Sequence, residues 1–415
     1  MILPVAESFQ KPRAGDRMLS VEEAQEQVLA EVGLLDAEEV PLADAQGLVL
    51  REDVAAPFDV PEGDNSAMDG YAVRAADVPG PLRVIEDVPA GRIATLRVEA
   101  GTAIRIMTGA LLPLGADAVA QVEITDGGSS VVQVSQPLTA GTNVRRCGED
   151  MVAGSLVLRA GSPIGAAEIG VLAGVQKTRV LVSRRPTVAI LSTGDELVAI
   201  DQPRGRGKVV NSNAYALAAL VRENGGEPRV LGIVPDEREA TIAAIEAALD
   251  CDFVLSSGGV SVGAFDFVKD ALDALGAETK FWRIAMKPGK PVVLSRLRGR
   301  LYFGLPGNPV SSMVAFLLFV APSLRKAMGR TSGLLPPIVL ARLQEPLSAR
   351  GDRRTYLRVR VSAVDGELVA IVMRAQGSGV STSMLGANGL AILEQGVTAA
   401  AAGERVRTVL FGGVA

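Results

Sequence analysis

The sequence of 415 residues contains no histidine. This absence excludes serine–histidine and cysteine–histidine catalytic pairs, zinc sites with histidine ligands, and a histidine general base. Any chemistry must therefore use carboxylates, lysine, arginine, hydroxyl groups and backbone amides. Such groups suit hard cations and oxyanions such as phosphate.

Cysteine is almost as scarce, because Cys147 and Cys251 are the only two in the chain. This count argues against a disulfide framework and against a thiolate metal site, and it fits a reducing cytoplasm. Long apolar runs are missing too: none reaches the roughly 18 residues of a membrane span, and the N-terminus lacks a signal-peptide pattern. We therefore expect a cytoplasmic protein that does not bind membranes.

Neither sign of charge dominates the sequence, which has 42 basic and 47 acidic residues and a net charge of -5. We expect no broad electrostatic binding to nucleic acid, although basic residues can still cluster around an anionic ligand. The composition, 48% apolar and 21% charged, is that of a globular protein. Because 415 residues are too many for one core, two to four domains are expected.

The first half of the chain predicts two helices around a β-rich module. A helix is predicted from Ser20 to about Val32, because Ser20 and Glu23 form a capping box. From residue 41 to about 157, short apolar alternations separated by glycine and proline predict β structure. A second helix is predicted over residues 163–173, with Pro163 at its first position.

From residue 186, predicted strands and helices alternate. This alternation predicts a doubly wound, mostly parallel sheet, which binds ligands beyond the carboxyl ends of its strands. After a linker at residues 333–337, period-two alternation over 338–415 predicts a small C-terminal β domain. The predicted α/β strands are 187–192, 229–234, 253–256, 280–285, 291–295 and 301–305, and the helices are 214–224, 237–249, 267–275 and 309–328.

Small polar and acidic residues follow nearly every predicted strand of the α/β region. One such loop is a weak signal, because turns favour glycine, aspartate and asparagine in any protein. Four loops at one edge of a sheet favour a binding site, since small residues let the backbone approach a ligand and helix N-termini present free amides to an anion. The loops are Thr193–Glu196, Pro235–Asp236, Ser257–Ser261 and Pro306–Pro309, and Asn211–Asn213 precedes a helix.

The segment LSSGGVSVGAFDFVKD, residues 255–270, combines a glycine turn with a following carboxylate. Ser257, Gly258, Gly259 and Ser261 can wrap amides and hydroxyls around a phosphate. Asp266 can hold a cation or a ligand amine, or cap the next helix, and both roles remain open.

Two other motifs allow a structural as well as a functional interpretation. Lys287 and Lys290 flank a rigid turn in MKPGKP, which suits a polyphosphate but also fits a solvated basic turn. The segment DNSAMDGYAV, residues 64–73, places two carboxylates beside an amide and a hydroxyl. It predicts either a hard-metal or hydroxylated-ligand site, or a structural Asx turn.

Eight motifs in this order resemble one family, the MoeA family of molybdopterin molybdenumtransferases, which is similar to the E domain of gephyrin. The resemblance spans about residues 15–415, and the order of the motifs makes it specific. The motifs are DNSAMDGYA at residue 64, MTGA at 107, GADAV at 115, STGDEL at 192, NSN at 211, SSGGVSVG at 256, MKPGKP at 286 and GLPGNP at 304.

The resemblance implies four domains and a homodimer. An elongated domain would combine residues 15–50 and 150–185, with a β-rich domain inserted at 51–149. A molybdopterin-binding α/β domain would cover 186–330, and a small, barrel-like β domain would cover 333–415. The site would lie between the α/β and C-terminal domains of one subunit and the inserted domain of the other. Contacts with other molybdenum cofactor biosynthesis proteins are a further expectation.

The implied reaction is magnesium-dependent: adenylylated molybdopterin and molybdate give molybdenum cofactor and AMP. The resemblance implies Mg²⁺ ligands at Glu196, Asp236 and Asp266, and molybdate contacts at Arg358 and Ser378. Further catalytic residues would be Asp64, Thr108, Lys287 and Lys290. Substrate-binding residues would be Thr193, Gly194, Asn213, Ser257, Gly258, Gly259, Ser261, Pro306, Gly307, Asn308 and Asp150.

The C-terminal domain departs from the family in detail. Gly379 follows Ser378 where the family often has a histidine, and Arg354 and Arg360 remain alternatives to Arg358. Three other functions stay open: a molybdopterin adenylyltransferase, a paralogue that inserts tungstate, and a gephyrin-like scaffold. The inserted β domain argues against the first, and no long disordered linker that would favour the scaffold is visible.

Overall fold

The computed structural model describes residues 18–260 and 267–414. Its first helix, Val21–Glu31, begins as the capping box predicts. The Ser20 hydroxyl accepts a hydrogen bond from the Glu23 amide at 3.1 Å, and the Glu23 carboxylate accepts one from the Ser20 amide at 2.8 Å. Of the sequence candidates, Ser261 and Asp266 lie outside the described residues.

Two distant parts of the chain pair next to this helix. Strand Ala37–Pro41 pairs antiparallel with Arg179–Ser183, and Val54–Ala55 pairs with Leu156–Leu158. These pairings join sections that the resemblance assigns to one domain, whose boundaries remain a prediction.

The second helix runs from Ala166 to Gly174, three residues later than predicted. The start was wrong because Pro163 bridges to Val49 as an extended residue. Gly165 is the N-cap, and its amide donates to the Glu168 carboxylate at 2.9 Å. The backbone therefore turns into the helix only after residue 165.

A five-stranded sheet forms the β-rich module between these sections. Gly70 lies where two paired strands approach closely, since a Cβ there would stand 2.0 Å from the Ala120 carbonyl oxygen. Across the sheet the strands are Ala118–Gln121, Gly70–Val73, Thr102–Ile106, Gly80–Val88 and Val131–Val134, with Asn65–Ser66 pairing separately with Val144–Arg145. Short 3-10 helices lie at Leu42–Asp44, Ala75–Asp77 and Val122–Ile124.

The α/β unit contains the predicted doubly wound, mostly parallel sheet. Alternate residues of Thr187–Thr193 face opposite sides, so Val188 and Ile190 enter one core and Ala189 and Leu191 the other. In order across the sheet, the strands are Glu227–Val234, Thr187–Thr193, Phe253–Ser257, Arg300–Leu305, Pro291–Leu297 and Glu278–Arg283. The helices are Ser212–Glu223, Arg238–Ala248, Phe267–Ala274 and Pro309–Ala327, and Leu197–Val198 pairs with Val209–Val210 at the rim.

The last two strands of this sheet run antiparallel to their neighbours. Pro291–Leu297 and Arg300–Leu305 form a hairpin through Arg298 and Gly299. Both turn residues have positive φ, at 46° and 80°, which is the backbone of a tight two-residue hairpin turn. Such a turn leaves no room for a crossover helix, so a parallel arrangement is excluded there.

The helix Pro309–Ala327 is the central element of the core. The helix has 19 residues and a mean hydropathy of 1.4, so by length and composition alone it could cross a membrane. No such segment was predicted from the sequence. The helix is 83% buried inside the protein and includes a π-helical stretch, Phe316–Val320.

Five strands close into a barrel at the C-terminal end of the described chain. Strand Met286–Lys287 of the α/β unit pairs with the first barrel strand, so the two units share hydrogen bonds. In order around the barrel the strands are Arg354–Val364, Glu367–Val372, Ile338–Leu343, Arg405–Leu410 and Gly389–Leu393, which returns to the first. Leu347–Ser348 pairs with Ala399–Ala400, and a 3-10 helix covers Ser381–Met384.

A buried carboxylate joins the starts of three parallel strands, at the edge opposite the loop motifs. Asp252 is 8% exposed, and both its oxygens accept from the Arg184 guanidinium at 2.6 and 2.7 Å. It also accepts from the Thr187 amide and hydroxyl and from Arg300. Burial raises the pKa of Asp252, but the Arg184 and Thr187 hydrogen bonds outweigh it and hold the pKa below 3.8.

We expect Asp252→Asn to lower the free energy of unfolding by about 3 kcal/mol at pH 7, because it leaves Arg184 without its partner. Chemical denaturation measures this loss. Since the folded pKa is lowered, the stabilisation is fully present above pH 3.8 and is lost as the pH falls below it. The variant should therefore show a weaker acid destabilisation than the wild type. Glu239→Gln, which removes an exposed ion pair with Arg238, is the control and should cost below about 1 kcal/mol.

Candidate active site

The strand-end loops meet around one cavity of about 670 Å³. It lies beyond the carboxyl ends of the parallel strands, where the sequence analysis expected it. Eleven of the predicted site residues line it: Thr193, Gly194, Glu196, Asn213, Asp236, Ser257, Gly258, Gly259, Pro306, Gly307 and Asn308. Pro291 and Gly379 also line it, although they were not among the predicted site residues.

The glycine turn is packed directly on Thr193. Gly258 and Gly259 have φ of 96° and 65°, which favour glycine. A Cβ on Gly258 would stand 2.6 Å from the Thr193 carbonyl oxygen, and one on Gly259 would stand 2.7 Å from Thr193 Oγ1 and 2.6 Å from Val268 Cγ2. Two adjacent strand ends therefore approach as closely as only glycine permits.

Thr193 brings a buried polar atom to this contact. The residue is 7% exposed, and its Oγ1 has no hydrogen-bond partner among the residues that the structure describes. A buried hydroxyl without a partner is costly. A ligand or water in the cavity can supply the missing hydrogen bond.

Asn213 ties together three walls of the cavity. Its Nδ2 donates to the Ser257 hydroxyl and to the Gly307 carbonyl, each at 2.7 Å. Asn213 lies in the first turn of the helix Ser212–Glu223, whose N-cap is Asn211. The amide groups of this helix N-terminus thereby face the same cavity as the two loops.

Carboxylates collect at the ends of the neighbouring strands Glu227–Val234 and Thr187–Thr193. The backbone amides of Asp195 and Asp236 donate to each other's carboxylates at 3.3 and 3.1 Å. Burial and the charges of Asp195 and Glu196 raise the pKa of Asp236 against the hydrogen bond from Asp195. A Cβ on Gly194 would lie 2.6 Å from Glu196 Oε2, so this glycine leaves room for the Glu196 carboxylate.

These carboxylates do not form a complete metal site by themselves. Within residues 18–260 and 267–414, no group of three acidic or cysteine side chains is placed to hold a metal ion. Glu196 and Asp236 do line the same cavity, so two oxygen-bearing side chains face one space. Such a pair suits a hard cation that completes its shell with ligand or water oxygens.

Lys287 and Lys290 are close in sequence to the cavity but are not part of its lining among the described residues. Lys287 belongs to the strand that pairs with the barrel, and Lys290 is exposed. Pro291 carries this segment to the cavity wall.

Of the two residues expected to contact molybdate, the structure places one at the rim. The Ser378 hydroxyl accepts from Asn308 Nδ2 at 3.2 Å, and its carbonyl accepts from the Val310 amide at 3.1 Å. Gly379, the next residue, lines the cavity. Arg358 is only 1% exposed, on the face of its strand opposite the barrel-core residues Leu357 and Val359, and burial lowers its pKa to about 10.

The β-module candidates lie apart from this cavity. Asp150 lines a second cavity of about 480 Å³. Asp64 accepts from the Cys147 amide at 2.9 Å and from Arg146 at 2.6 Å, and both contacts lower its pKa. Thr108 donates its hydroxyl to Asp69 at 2.7 Å.

Asn65, which was not among the predicted site residues, also lines the second cavity. It is 9% exposed, and its Oδ1 has no partner in the described part of the chain. Its place in the DNSAMDGYAV motif was the available signal. Besides Asp150, the cavity is lined by Val60, Pro61, Asn65, Arg145 and Glu149.

Three family models together match most of the chain. Residues 189–326 match a "probable molybdopterin binding domain", residues 19–175 match the "MoeA N-terminal region (domain I and II)", and residues 340–411 match the "MoeA C-terminal region (domain IV)". The fold and cavity thus belong to the molybdopterin-binding class of α/β proteins.

Curated relatives narrow this class to one family. The chain is 41% identical to a molybdopterin molybdenumtransferase of Nostoc sp., over 89% of this chain and 88% of the relative. It is 39% identical to molybdopterin molybdenumtransferase 2 of Mycobacterium tuberculosis, over 94% and 99%. A MoeA crystal structure from Pyrococcus horikoshii superposes with a TM-score of 0.80 at 31% identity, over 95% and 100% of the chains. The chain belongs to the MoeA family, a family of transferases, as the motif order predicted.

We expect Gly259→Ala to destabilise the protein by about 1–3 kcal/mol and to deform the cavity, because positive φ and the contact with Thr193 both oppose a side chain. Chemical denaturation and a crystal structure of the variant measure the two effects. Gly307→Ala is the matched control, since its Cβ would make an ordinary contact of 3.6 Å with Gly258. Equal losses for both variants would contradict the steric argument.

Proposed function

We propose that this protein carries out the molybdenum-insertion step of molybdenum cofactor biosynthesis. Its substrates would be adenylylated molybdopterin and molybdate, and its products molybdenum cofactor and AMP. The observation that carries the proposal is the cavity of small residues at the strand ends, in a chain that matches the family along most of its length. The absence of histidine is compatible with it, since the reaction needs no histidine nucleophile or base.

The pterin and phosphate groups fit the glycine side of the cavity. The Gly258–Gly259 turn and the N-terminus of the helix Ser212–Glu223 present amides to an anion. Thr193 Oγ1 is a buried hydroxyl that lacks a partner among described residues, and a phosphate or pterin oxygen would supply one. Lys287 and Lys290 would add positive charge beside this wall, and Ser261 belongs to the same proposed set.

The proposal includes Mg²⁺ on the acidic side, held by Glu196, Asp236 and Asp266. Its support is that Glu196 and Asp236 line one cavity, and that burial and neighbouring carboxylates raise the pKa of Asp236. A divalent cation relieves this repulsion. When bound, the ion would supply positive charge against the pyrophosphate of the nucleotide. The carboxylates would orient the ion at the cavity wall.

Molybdate would enter from the barrel side. Ser378 lies at the rim, where a hydroxyl can donate to an oxyanion. Arg358 would contribute through its positive charge from behind this segment. Tungstate has nearly the same size and charge as molybdate. Insertion of tungstate is therefore the second candidate reaction for this pocket.

The β-module residues Asp64, Thr108 and Asp150 would complete the site from the second subunit of a homodimer. Support for this arrangement is their separation from the first cavity in one chain, together with the unpartnered Asn65 beside Asp150. A cytoplasmic location and contacts with other cofactor biosynthesis proteins belong to the same proposal. A molybdopterin adenylyltransferase accounts less well for the matches to both terminal regions.

The deciding experiment is a turnover assay. Purified protein is given adenylylated molybdopterin, Mg²⁺ and molybdate, and released AMP is followed. We expect release that depends on molybdate, stops when EDTA removes Mg²⁺, and returns when Mg²⁺ is restored. Preference for tungstate would change the oxyanion but keep the reaction. Tight pterin binding without AMP release would point to a carrier or scaffold instead.

A mixing experiment tests the shared site. We expect Asp64→Ala and Asp236→Ala each to be inactive as homodimers. After random subunit exchange, half of the dimers are mixed, and each has one site with both carboxylates intact. Activity should therefore recover to about a quarter of the wild-type level. No recovery, with exchange verified by mass spectrometry of the dimers, would place both residues in one subunit's site.

A further inference from the structure

The segment 375–379 connects the barrel to the rim of the first cavity. Gly379 lines the cavity, and Ser378 contacts Asn308 and Val310 at the start of the central helix. Gly379 is exposed and Ser378 half-buried. The position of this segment therefore decides how the barrel closes the cavity.

Gln376 anchors the segment from within. Its Oε1 accepts from the Arg358 amide at 3.0 Å, and its Nε2 donates to the carbonyls of Arg358 at 2.9 Å and Met373 at 2.8 Å. One side chain thereby uses both its donor and its acceptor on the backbone of the strand Arg354–Val364. Gln376 is half-buried, so these bonds are partly shielded from water.

Arg358 supplies the second anchor. Its Nη2 donates to the Ala375 carbonyl at 3.2 Å and to the Gly377 carbonyl at 3.1 Å, and its Nε donates to Ser383 Oγ at 3.2 Å. At 1% exposure its guanidinium has no ion pair among the described residues. Its Nη2 thus holds the two carbonyls that flank Gln376, and its Nε holds Ser383.

We propose that Gln376, together with Arg358, is a positioning residue that holds Ser378 and Gly379 at the rim and so sets the affinity for the oxyanion substrate. This inference rests on the proposed function for the identity of that substrate. Neither residue needs to touch the oxyanion. A segment released from its anchors occupies the closed position only part of the time, and the apparent affinity falls by that fraction.

The test uses Gln376→Met, which keeps the volume of the side chain and removes its hydrogen bonds. Hydrogen–deuterium exchange follows the amides of residues 374–385 in the full-length protein. We expect exchange in this segment to rise at least about tenfold, because the variant loses three side-chain hydrogen bonds, while the amides of the strand Phe253–Ser257 stay unchanged. Gln376→Ala serves as a second variant if the methionine variant folds poorly.

The turnover assay supplies the readout that a purely structural role would not move. We expect the KM for molybdate to rise about tenfold, while kcat and the KM for adenylylated molybdopterin stay within about twofold. Saturating molybdate shifts the segment back to its closed position, so kcat changes little. Gln344→Met, an exposed glutamine of the same barrel, is the matched control and should change neither exchange nor KM.

Two results would overturn the proposal. The first is unchanged exchange over 374–385 in both Gln376 variants. The second is faster exchange with an unchanged KM for molybdate, or with equal losses for both substrates. If the wild type lacks molybdate-dependent turnover, the proposed function fails. The exchange measurement by itself then supports or overturns the positioning of Ser378 and Gly379.

Discussion

The contact between Thr193 and the Gly258–Gly259 turn is the constraint on which the cavity depends. Two parallel strands end side by side there, and the backbones approach so closely that a Cβ at either glycine would overlap Thr193 atoms. This approach leaves Thr193 Oγ1 buried beside the cavity. Asn213 then locks the neighbouring walls with two hydrogen bonds of 2.7 Å. The site is thus held by backbone geometry and one amide side chain rather than by a charged framework.

The charged side chains lie around, and not within, the contact between Thr193 and the Gly258–Gly259 turn. Carboxylates cluster on one wall through Glu196 and Asp236, and the barrel closes another wall with small and hydroxylated residues. At the opposite edge of the sheet, Asp252 is neutralised by two arginines. The acidic residue with matched partners stabilises the fold, whereas the acidic residues that repel each other face the cavity. This contrast is typical of the division between structural and functional carboxylates.

Sequence patterns predicted the local parts of this structure well. The capping box at Ser20 and the glycine turn at Gly258 are local signals, because both depend on residues only a few positions apart. The start of the second helix was wrong because Pro163 is held extended by a bridge to distant Val49. The burial of Arg358 and the approach of Gly379 to the cavity could not be predicted for the same reason. Both depend on how the segment 375–383 folds over Arg358 and reaches the α/β unit.

The central helix Pro309–Ala327 contacts three separate parts of the chain. At its start the Val310 amide is held by Ser378 of the barrel region, and near its end Lys326 and Ala327 bond to Leu29 and Leu35 of the N-terminal section. At about 1.5 Å per residue it spans nearly 30 Å. This one helix therefore carries contacts to the barrel, the α/β unit and the N-terminal section. A packing defect in the helix is expected to weaken contacts in all three sections, including those beside the rim of the cavity.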